Sequence, residues 1–257
     1  LKAACAALES NSIENIRFVK AHLGDEHMVR LAAALRDNTS LTTLNLMNNK
    51  IGEAGARSLA GALRTNSSKL MLQLANNPLG AEGAAVLAVA LRENVALRGL
   101  DLRSCYIGAD GVCCIARSLE VNSNLTTLQL GATKCGLKGA KALASALEKN
   151  ETLTYLYLRG CLLEEEGAIA LAEGLSQNNT VKMIDISYNF IGERGADAIA
   201  AALLENNSLS DLSLEGNRIG AIGARALLKT VFINITLTKL NLQKNDVDDL
   251  GTIETRS

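Results

Sequence analysis

The 257-residue sequence contains no tryptophan, a single proline, Pro78, and only 3% aromatic residues. Its two histidines, His22 and His27, both lie near the start of the chain. Since 48% of the residues are apolar, the core is predicted to be aliphatic, built from Leu, Ala, Ile and Val. Catalysis needs a nucleophile, a base or a metal set held in one site, and no such set is evident. We therefore predict that the protein is not an enzyme and that it holds no metal and no cofactor.

The sequence also lacks an excess of charge and long apolar runs. It has 26 basic and 27 acidic residues, a formal net charge of -1, and no block of five or six like charges. Phosphate backbones are bound by clustered basic surfaces, and a membrane-spanning helix needs about 18 consecutive apolar residues. The start, LKAACAALES, also lacks the basic flank and apolar centre of a signal peptide. The sequence predicts a soluble, cytoplasmic protein with no nucleic-acid partner and no membrane contact.

The sequence is rich in one repeat of 28 residues, best seen in residues 41–68, LTTLNLMNNKIGEAGARSLAGALRTNSS. Leucine or isoleucine recurs at this period with no insertion or deletion. One such column consists of Leu44, Leu72, Leu100, Leu128, Leu156, Ile184, Leu212 and Leu240. A fixed period of 20 to 50 residues predicts a solenoid, in which each repeat packs only on its neighbours. We therefore predict a single domain, residues 1–257.

Within each repeat, the spacing between apolar residues changes from two positions to three or four positions. The segment L-x-x-L-x-L alternates like a strand with one buried face, and the positions Leu59, Ala62 and Leu63 have helical spacing. Strands joined by crossover helices are parallel. Because packed helices need about 8 to 10 Å and strands about 4.8 Å, the helical side is wider. The predicted fold is an α/β solenoid, a curved horseshoe with a parallel sheet on the concave side and helices on the convex side.

The match to the repeat varies along the chain and divides it into four parts. Residues 1–12 are predicted to be the tail of a preceding repeat helix, and residues 13–40 a degenerate repeat. Seven regular repeats occupy residues 41–236, and residues 237–257 form an incomplete terminal repeat. We expect the chain to begin inside a longer array.

Two asparagine columns are predicted to have structural roles. The Asn49 column follows the strand, where an inward amide can donate to and accept from backbone groups that have lost their ladder partners. The Asn66 column closes each helix and creates most of the N-x-[ST] triplets. For these triplets, helix capping is favoured over glycosylation.

The six cysteines follow the repeat rather than a metal or disulfide pattern. Cys105 and Cys161 replace the column asparagine, Cys135 stands in a buried isoleucine column, and no C-x-x-C pair exists. We predict reduced, mostly buried thiols. Cys113, which aligns with Arg57, is the cysteine expected to be exposed.

Units such as LSDLSLEGNRIGAIGARALLKTVFIN and VKMIDISYNFIGERGADAIAAALLENN resemble the ribonuclease-inhibitor type of leucine-rich repeat, L-x-x-L-x-L-x-x-[NC]-x-[IL]-G-x-x-G-A. The resemblance covers essentially the whole chain. The uniform length and the absence of tryptophan make it most similar to the repeats of NOD-like receptors, particularly the caspase-recruitment subfamily, which implies a role in innate immunity. The chain also resembles the array of the Ran GTPase-activating protein. These resemblances imply a leucine-rich-repeat solenoid that binds proteins.

The outward strand positions vary between repeats, and they are the candidate partner-binding positions. Tyrosine, arginine and methionine dominate interface energetics, and they concentrate in two adjacent repeats, with an extension toward the amino terminus. The predicted concave patch consists of Tyr155, Tyr157, Arg159, Met183, Asp185, Tyr188, Arg103 and Asp101. Small residues between Arg103 and Arg159 are expected to leave a shallow pocket. The alternative is that these strand-compatible side chains only cover the sheet.

Three hypotheses for the function remain open. The leading one is a non-enzymatic scaffold, the ligand-sensing or partner-docking region of a larger intracellular protein, which binds another protein through the concave sheet. The second is activation of a small GTPase, as the Ran activator resemblance implies, although the acidic carboxy-terminal tract of that family is absent here. The third is a self-associating array, because an unpaired terminal strand is a template for another chain.

Overall fold

The computed structural model describes residues 1–247 together with the backbone of Thr252–Glu254. In these residues, nine helices alternate with nine parallel strands, and a tenth strand follows. The helices are α1 (Lys2–Glu9), α2 (Asp25–Arg36), α3 (Glu53–Leu63), α4 (Gly80–Glu93), α5 (Gly108–Leu119), α6 (Gly136–Lys149), α7 (Glu164–Gln177), α8 (Gly192–Glu205) and α9 (Gly220–Val231). The strands are β1 (Asn15–Arg17), β2 (Thr43–Asn45), β3 (Met71–Gln73), β4 (Gly99–Asp101), β5 (Thr127–Gln129), β6 (Tyr155–Tyr157), β7 (Met183–Asp185), β8 (Asp211–Ser213), β9 (Lys239–Asn241) and β10 (Thr252–Glu254).

The strands form one sheet in chain order, β1 to β10. From β1 to β9 all pairs are parallel, and each residue pairs with the residue 28 positions later, as Leu44 does with Leu72. This constant register confirms the predicted α/β solenoid and its 28-residue repeat. β10 differs because it pairs antiparallel with β9, with Ile253 opposite Leu240. The last strand therefore departs from the fully parallel sheet that the repeat predicted.

The core is a continuous aliphatic layer between the sheet and the helices. The central residue of each strand from β1 to β9 points into it, and Leu44, Leu128 and Ile184 are fully buried. The helices contribute leucine and alanine, such as Leu59 and Ala56 on α3. Each helix packs side by side on the next because the facing residues are small. The sheet face opposite the helices carries no layer and is here called the concave face.

The Asn49 column forms the predicted ladder of hydrogen bonds at the ends of the strands. Asn189 is fully buried, and its Nδ2 donates to the carbonyl oxygens of Leu158 at 2.8 Å and Ile186 at 2.9 Å. Its Oδ1 accepts from the backbone N–H of Cys161 at 2.8 Å. One side chain thus joins two successive repeats, and Asn217 repeats the pattern.

The ladder is weaker in the middle of the chain, where the asparagine is replaced. The Cys105 thiol reaches the Leu74 carbonyl oxygen at 3.1 Å, and the Thr133 hydroxyl donates to the Leu130 carbonyl oxygen at 2.6 Å. Neither side chain has an amide oxygen to accept from the preceding repeat. In these repeats the side chain therefore still donates to a backbone carbonyl oxygen but does not accept from a backbone N–H.

The Asn66 column is equally buried and links the ends of successive helices. Asn66 Nδ2 donates to the carbonyl oxygens of Leu35 at 2.7 Å and Asn38 at 2.8 Å. Asn150 and Asn206 make the equivalent bonds to the preceding repeat. The side chains of this column are therefore occupied, as the capping interpretation of the N-x-[ST] triplets predicted.

All six cysteines are free thiols, and five are buried. The expectation that Cys113 is exposed was wrong, because its side chain is only 6% exposed. Its Sγ lies 3.6 Å from the Lys138 carbonyl oxygen at the start of α6. Arg57, at the same position in α3, is long enough to leave the helix interface, whereas cysteine stays within it.

Two glycine-to-alanine substitutions are expected to change stability in opposite directions. A Cβ on Gly174 would lie 2.6 Å from the backbone oxygen of Ala144 in α6, whereas a Cβ on Gly61 would meet no atom within 4 Å. Alanine in a helix gains up to about 1 kcal/mol over glycine, but overpacking costs about 1–3 kcal/mol. Chemical denaturation should therefore show Gly61→Ala more stable and Gly174→Ala less stable than the parent. A gain for both variants would contradict the close approach of α6 and α7.

Candidate partner-binding surface

The concave face presents the first and third residues of every strand, because side chains alternate across a strand and the central residue is buried. On β6 and β7, three of these four positions carry a tyrosine or methionine side chain. Tyr155 pairs with Met183 and Tyr157 pairs with Asp185, so the four side chains occupy neighbouring places on the sheet. Tyr155 is 42% exposed. Burial raises the pKa of Tyr157 above the ordinary value for tyrosine.

A second group of side chains lies just beyond the ends of the strands. It consists of Arg159, Tyr188, Glu215 and Lys244, which follow β6, β7, β8 and β9, and is here called the rim cluster. The Tyr188 hydroxyl donates to Glu215 Oε1 at 2.6 Å, and Lys244 Nζ donates to the same oxygen at 2.6 Å. The Arg159 guanidinium lies 4.1 Å above the Tyr188 ring and 3.5 Å from Glu215 Oε2. The cluster therefore fixes the Tyr188 ring beneath the Arg159 guanidinium, with its hydroxyl bonded to Glu215 and Lys244.

Tyr188 has the left-handed backbone conformation that this position adopts in every repeat. Its φ is 56°, and the equivalent positions in the flanking repeats are Gly160 and Gly216, which also have positive φ. A left-handed conformation costs a non-glycine residue about 1–2 kcal/mol. The hydrogen bonds and the cation contacts of the Tyr188 side chain offset that cost. The same conformation is adopted by Lys20, Asn48, Asn76, Ser104, Ala132 and Lys244. It therefore belongs to the turn of the repeat, and the side-chain contacts are what distinguish Tyr188.

Asp101 and Arg103 form a separate ion pair on and beyond β4. Arg103 Nε lies 2.9 Å from Asp101 Oδ1, and Nη2 lies 2.7 Å from Oδ2, a bidentate arrangement. The Asp101 side chain is fully buried, whereas that of Arg103 is 44% exposed. The hydrogen bond to Asp101 raises the pKa of Arg103. The guanidinium is thus held in one orientation with part of its surface open to solvent.

A cleft of about 430 Å³ lies between Arg103 and Arg159. Gly131 and Ala132 lie between the two arginines, and Tyr188 closes the far side. This is the shallow pocket that the small residues predicted. Its depth depends on Gly131, because a Cβ there would lie 3.1 Å from the Arg159 carbonyl oxygen and 3.5 Å from Arg103 Cγ. The cleft suits a single protruding side chain from a partner.

The structure places all eight predicted residues on the concave face or its rim, but in three groups rather than one compact patch. Tyr155, Tyr157, Met183 and Asp185 form the first group, and Arg159 and Tyr188 belong to the rim cluster. Asp101 and Arg103 are separated from β6 by β5.

Glu215 and Lys244 were missed by the sequence prediction, although they complete the rim cluster. The signal was present in one column that alternates large and small residues, as Arg103, Gly131, Arg159, Ser187 and Glu215. Across the small Ser187, Arg159 and Glu215 reach each other from two repeats apart. Lys244 had no such signal, because its contact depends on the side-chain orientation of Tyr188.

Acid is expected to weaken the rim cluster through Glu215. Hydrogen bonds from Lys244 and then Tyr188 hold the pKa of Glu215 below its ordinary value of 4.5. A lowered folded-state pKa stabilises the fold above the ordinary value, and that stabilisation is lost as pH falls through the lowered pKa. The difference in Tm between the parent and Glu215→Gln should therefore be constant near neutral pH and shrink below about pH 4.5. A difference that does not change in acid would contradict the ion-paired cluster.

Within the described residues, no group of three or more His, Cys, Asp and Glu side chains is arranged to hold a metal ion. The helices in the same part of the chain are all too short or too polar to cross a membrane.

Comparison with known families matches part of the repeat array. The leucine-rich repeat family model matches residues 37–60, 149–172, 177–200, 205–228 and 234–253. The unmatched residues between 60 and 149 continue the same register in the sheet, from β3 to β5. No curated protein matches the chain.

Two of the solved structures that resemble the chain illustrate the likeness. One is the leucine-rich repeat-containing protein LegL7 from Legionella pneumophila, with a TM-score of 0.56 and 16% identity over 90% of this chain and 73% of that chain. The other is actin-binding site 2 of leiomodin-1, with a TM-score of 0.47 and 22% identity over 68% of this chain and 87% of that chain. At these identities, the likeness to LegL7 supports the fold alone.

Proposed function

From a chain built of leucine-rich repeats, we propose a non-enzymatic scaffold that binds another protein through its concave face. The observation that carries this proposal is the rim cluster, in which the Tyr188 ring lies beneath the Arg159 guanidinium and its hydroxyl is bonded to Glu215 and Lys244. Covering a sheet does not require an aromatic ring where the flanking repeats have Gly160 and Gly216, nor side chains of four successive repeats joined in one network.

The proposed interface has an aromatic centre and a charged border. Tyr155 and Tyr157 supply broad surfaces that lose little conformational entropy on binding, and tyrosine and arginine are the most frequent hot-spot residues. Arg103 and Arg159 are both held by carboxylates, so their guanidinium groups do not have to be ordered when the partner binds. The cleft between them accepts one side chain of that partner.

The type of repeat supports a more specific proposal for the role of this scaffold. We propose that this array is the ligand-sensing or partner-docking region of a larger intracellular protein, as in the NOD-like receptors whose repeats it resembles. For self-association, β10 occupies the edge of β9, so β9 does not offer an open edge to another copy.

Affinity capture with a double variant tests the proposal. We expect Tyr157→Ala with Arg159→Ala to lose the bound partner, with at least tenfold weaker affinity in a titration of the recovered protein. The matched control is Arg57→Ala with Lys141→Ala, which removes two exposed side chains from the convex helices. Equal recovery by the folded double variant and by the control would overturn the assignment of the interface to the concave face.

A further inference from the structure

The convex side of the last two helices carries apolar residues where the repeat is otherwise mostly polar. Leu204 aligns with Ser176, Ile222 with Arg194, and Ile233 with Glu205. Their side chains are more than half exposed, as are those of Phe232 and Ile235. Single exposed apolar residues are normal on protein surfaces, but a contiguous group marks an interaction site. Helix packing within the array does not require these residues, because the same positions in other repeats do without them.

Three of these residues form the walls of a groove between α8 and α9. The groove has a volume of about 480 Å³, and Leu204, Ile222 and Ile233 line it. Ala200, Ala201 and Ala226 also line it, so no large side chain fills the space. The Thr230 hydroxyl is already bonded to the carbonyl oxygens of Ala200 and Ala226. The groove is therefore apolar, open and as long as α9, which at 12 residues spans about 18 Å.

The charges beside the groove indicate what fits it. Arg225 and Lys229 lie four residues apart on the exposed side of α9, and neither forms an ion pair with any residue that the structure describes. Asp197 is the only acidic residue lining the groove. At the same two positions, the helices from α3 to α8 carry at most one basic residue. A basic pair beside an apolar groove complements an amphipathic helix with acidic flanks.

We propose that the groove between α8 and α9 binds an amphipathic helix of a partner protein. The apolar side chains of that helix, at i, i+3 or i+4 and i+7, contact Leu204, Ile222 and Ile233. Its acidic side chains face Arg225 and Lys229. This second surface lies on the opposite side of the solenoid from the concave face and does not depend on it.

Two synthetic helical peptides of about four turns test the proposal by fluorescence anisotropy. Both carry leucines at the stated spacing; one has glutamates on its flanks and the other has lysines. We expect the glutamate peptide to bind at least tenfold more tightly than the lysine peptide, and Arg225→Glu with Lys229→Glu to reverse that preference. Equal binding of both peptides, or binding of neither, would overturn the proposal.

Two further variants locate the peptide in the groove. Ile222→Arg and Ile233→Glu introduce the residue types that Arg194 and Glu205 supply in α8, so the fold should tolerate them, which an unchanged Tm verifies. Each should weaken glutamate-peptide binding at least tenfold, whereas Val89→Arg, on the exposed side of α4, should leave it unchanged. Unaltered binding by Ile222→Arg contradicts the proposal, as does loss of binding by Tyr157→Ala with Arg159→Ala. Sedimentation of the parent as a dimer that Ile222→Arg converts to a monomer would assign the groove to a second copy and overturn it.

Discussion

Replacing Asn189 with alanine should lower the free energy of unfolding by about 3–4 kcal/mol, because it leaves several buried backbone groups without partners. Asn189 is fully buried, donates to the carbonyl oxygens of Leu158 and Ile186, and accepts from the N–H of Cys161. Urea denaturation followed by circular dichroism measures the loss.

The solenoid architecture adds a second expectation for this variant. Stability in a repeat array is approximately a sum of repeat and interface terms, so damage at one interface can separate the unfolding of the two halves. We expect the transition of Asn189→Ala to broaden. The control is Asn207→Ala, an exposed asparagine whose loss should change stability by less than about 0.5 kcal/mol. A loss for Asn189→Ala as small as that of the control would show that the ladder does not hold the repeats together.

Replacing Arg103 with alanine should cost about 2–3 kcal/mol, because it removes both partners of a buried carboxylate's charge-assisted hydrogen bonds. Asp101 Oδ2 is bonded to Arg103 Nη2, and the aspartate side chain has no exposure to solvent. The backbone N–H of residue 103, which donates to Asp101 Oδ1 at 3.0 Å, remains in the variant and keeps the cost below that of a carboxylate left without any partner. Arg103→Lys should recover only part of the loss, since a lysine cannot make the bidentate contact.

A double variant separates the contribution of this ion pair from the packing of the arginine stem. Asp101→Asn with Arg103→Met should be more stable than Arg103→Ala, because the buried charge is then removed together with its partner. A larger loss in the double variant than in Arg103→Ala would contradict the interpretation. The two substitutions touch each other, so their effects are not expected to add.

The fold could be predicted from the sequence because the same residue pattern recurs in every repeat. The leucine columns, the Asn49 column and the Asn66 column each recur at 28 residues, and the structure places all three as the pattern indicated. β10 was not predicted because residues 252–254 fall at the helix position of the incomplete terminal repeat, yet they form a strand that pairs antiparallel with β9. Cys113 was misjudged because exposure at its column depends on side-chain length.

The candidate surface was less predictable, because it depends on contacts between repeats rather than on the pattern within one. The face on which Tyr155 and Tyr157 lie follows from strand alternation. The contact of Arg159 with Glu215 spans two repeats and depends on the small Ser187 between them. The apolar groove on α8 and α9 was visible in the columns of Leu204, Ile222 and Ile233. The sequence prediction placed the candidate binding positions on the strands alone and therefore missed the groove.

Site-specific photocrosslinking tests the central claim, that the concave face binds a protein partner, most directly. A photoreactive amino acid replaces Tyr155 on the concave face in one variant and Lys141 on the exposed side of α6 in another. After irradiation with the captured partner, we predict a crosslinked complex from the variant at position 155 and none from the variant at position 141. Crosslinking at position 141 with none at position 155 would contradict the account.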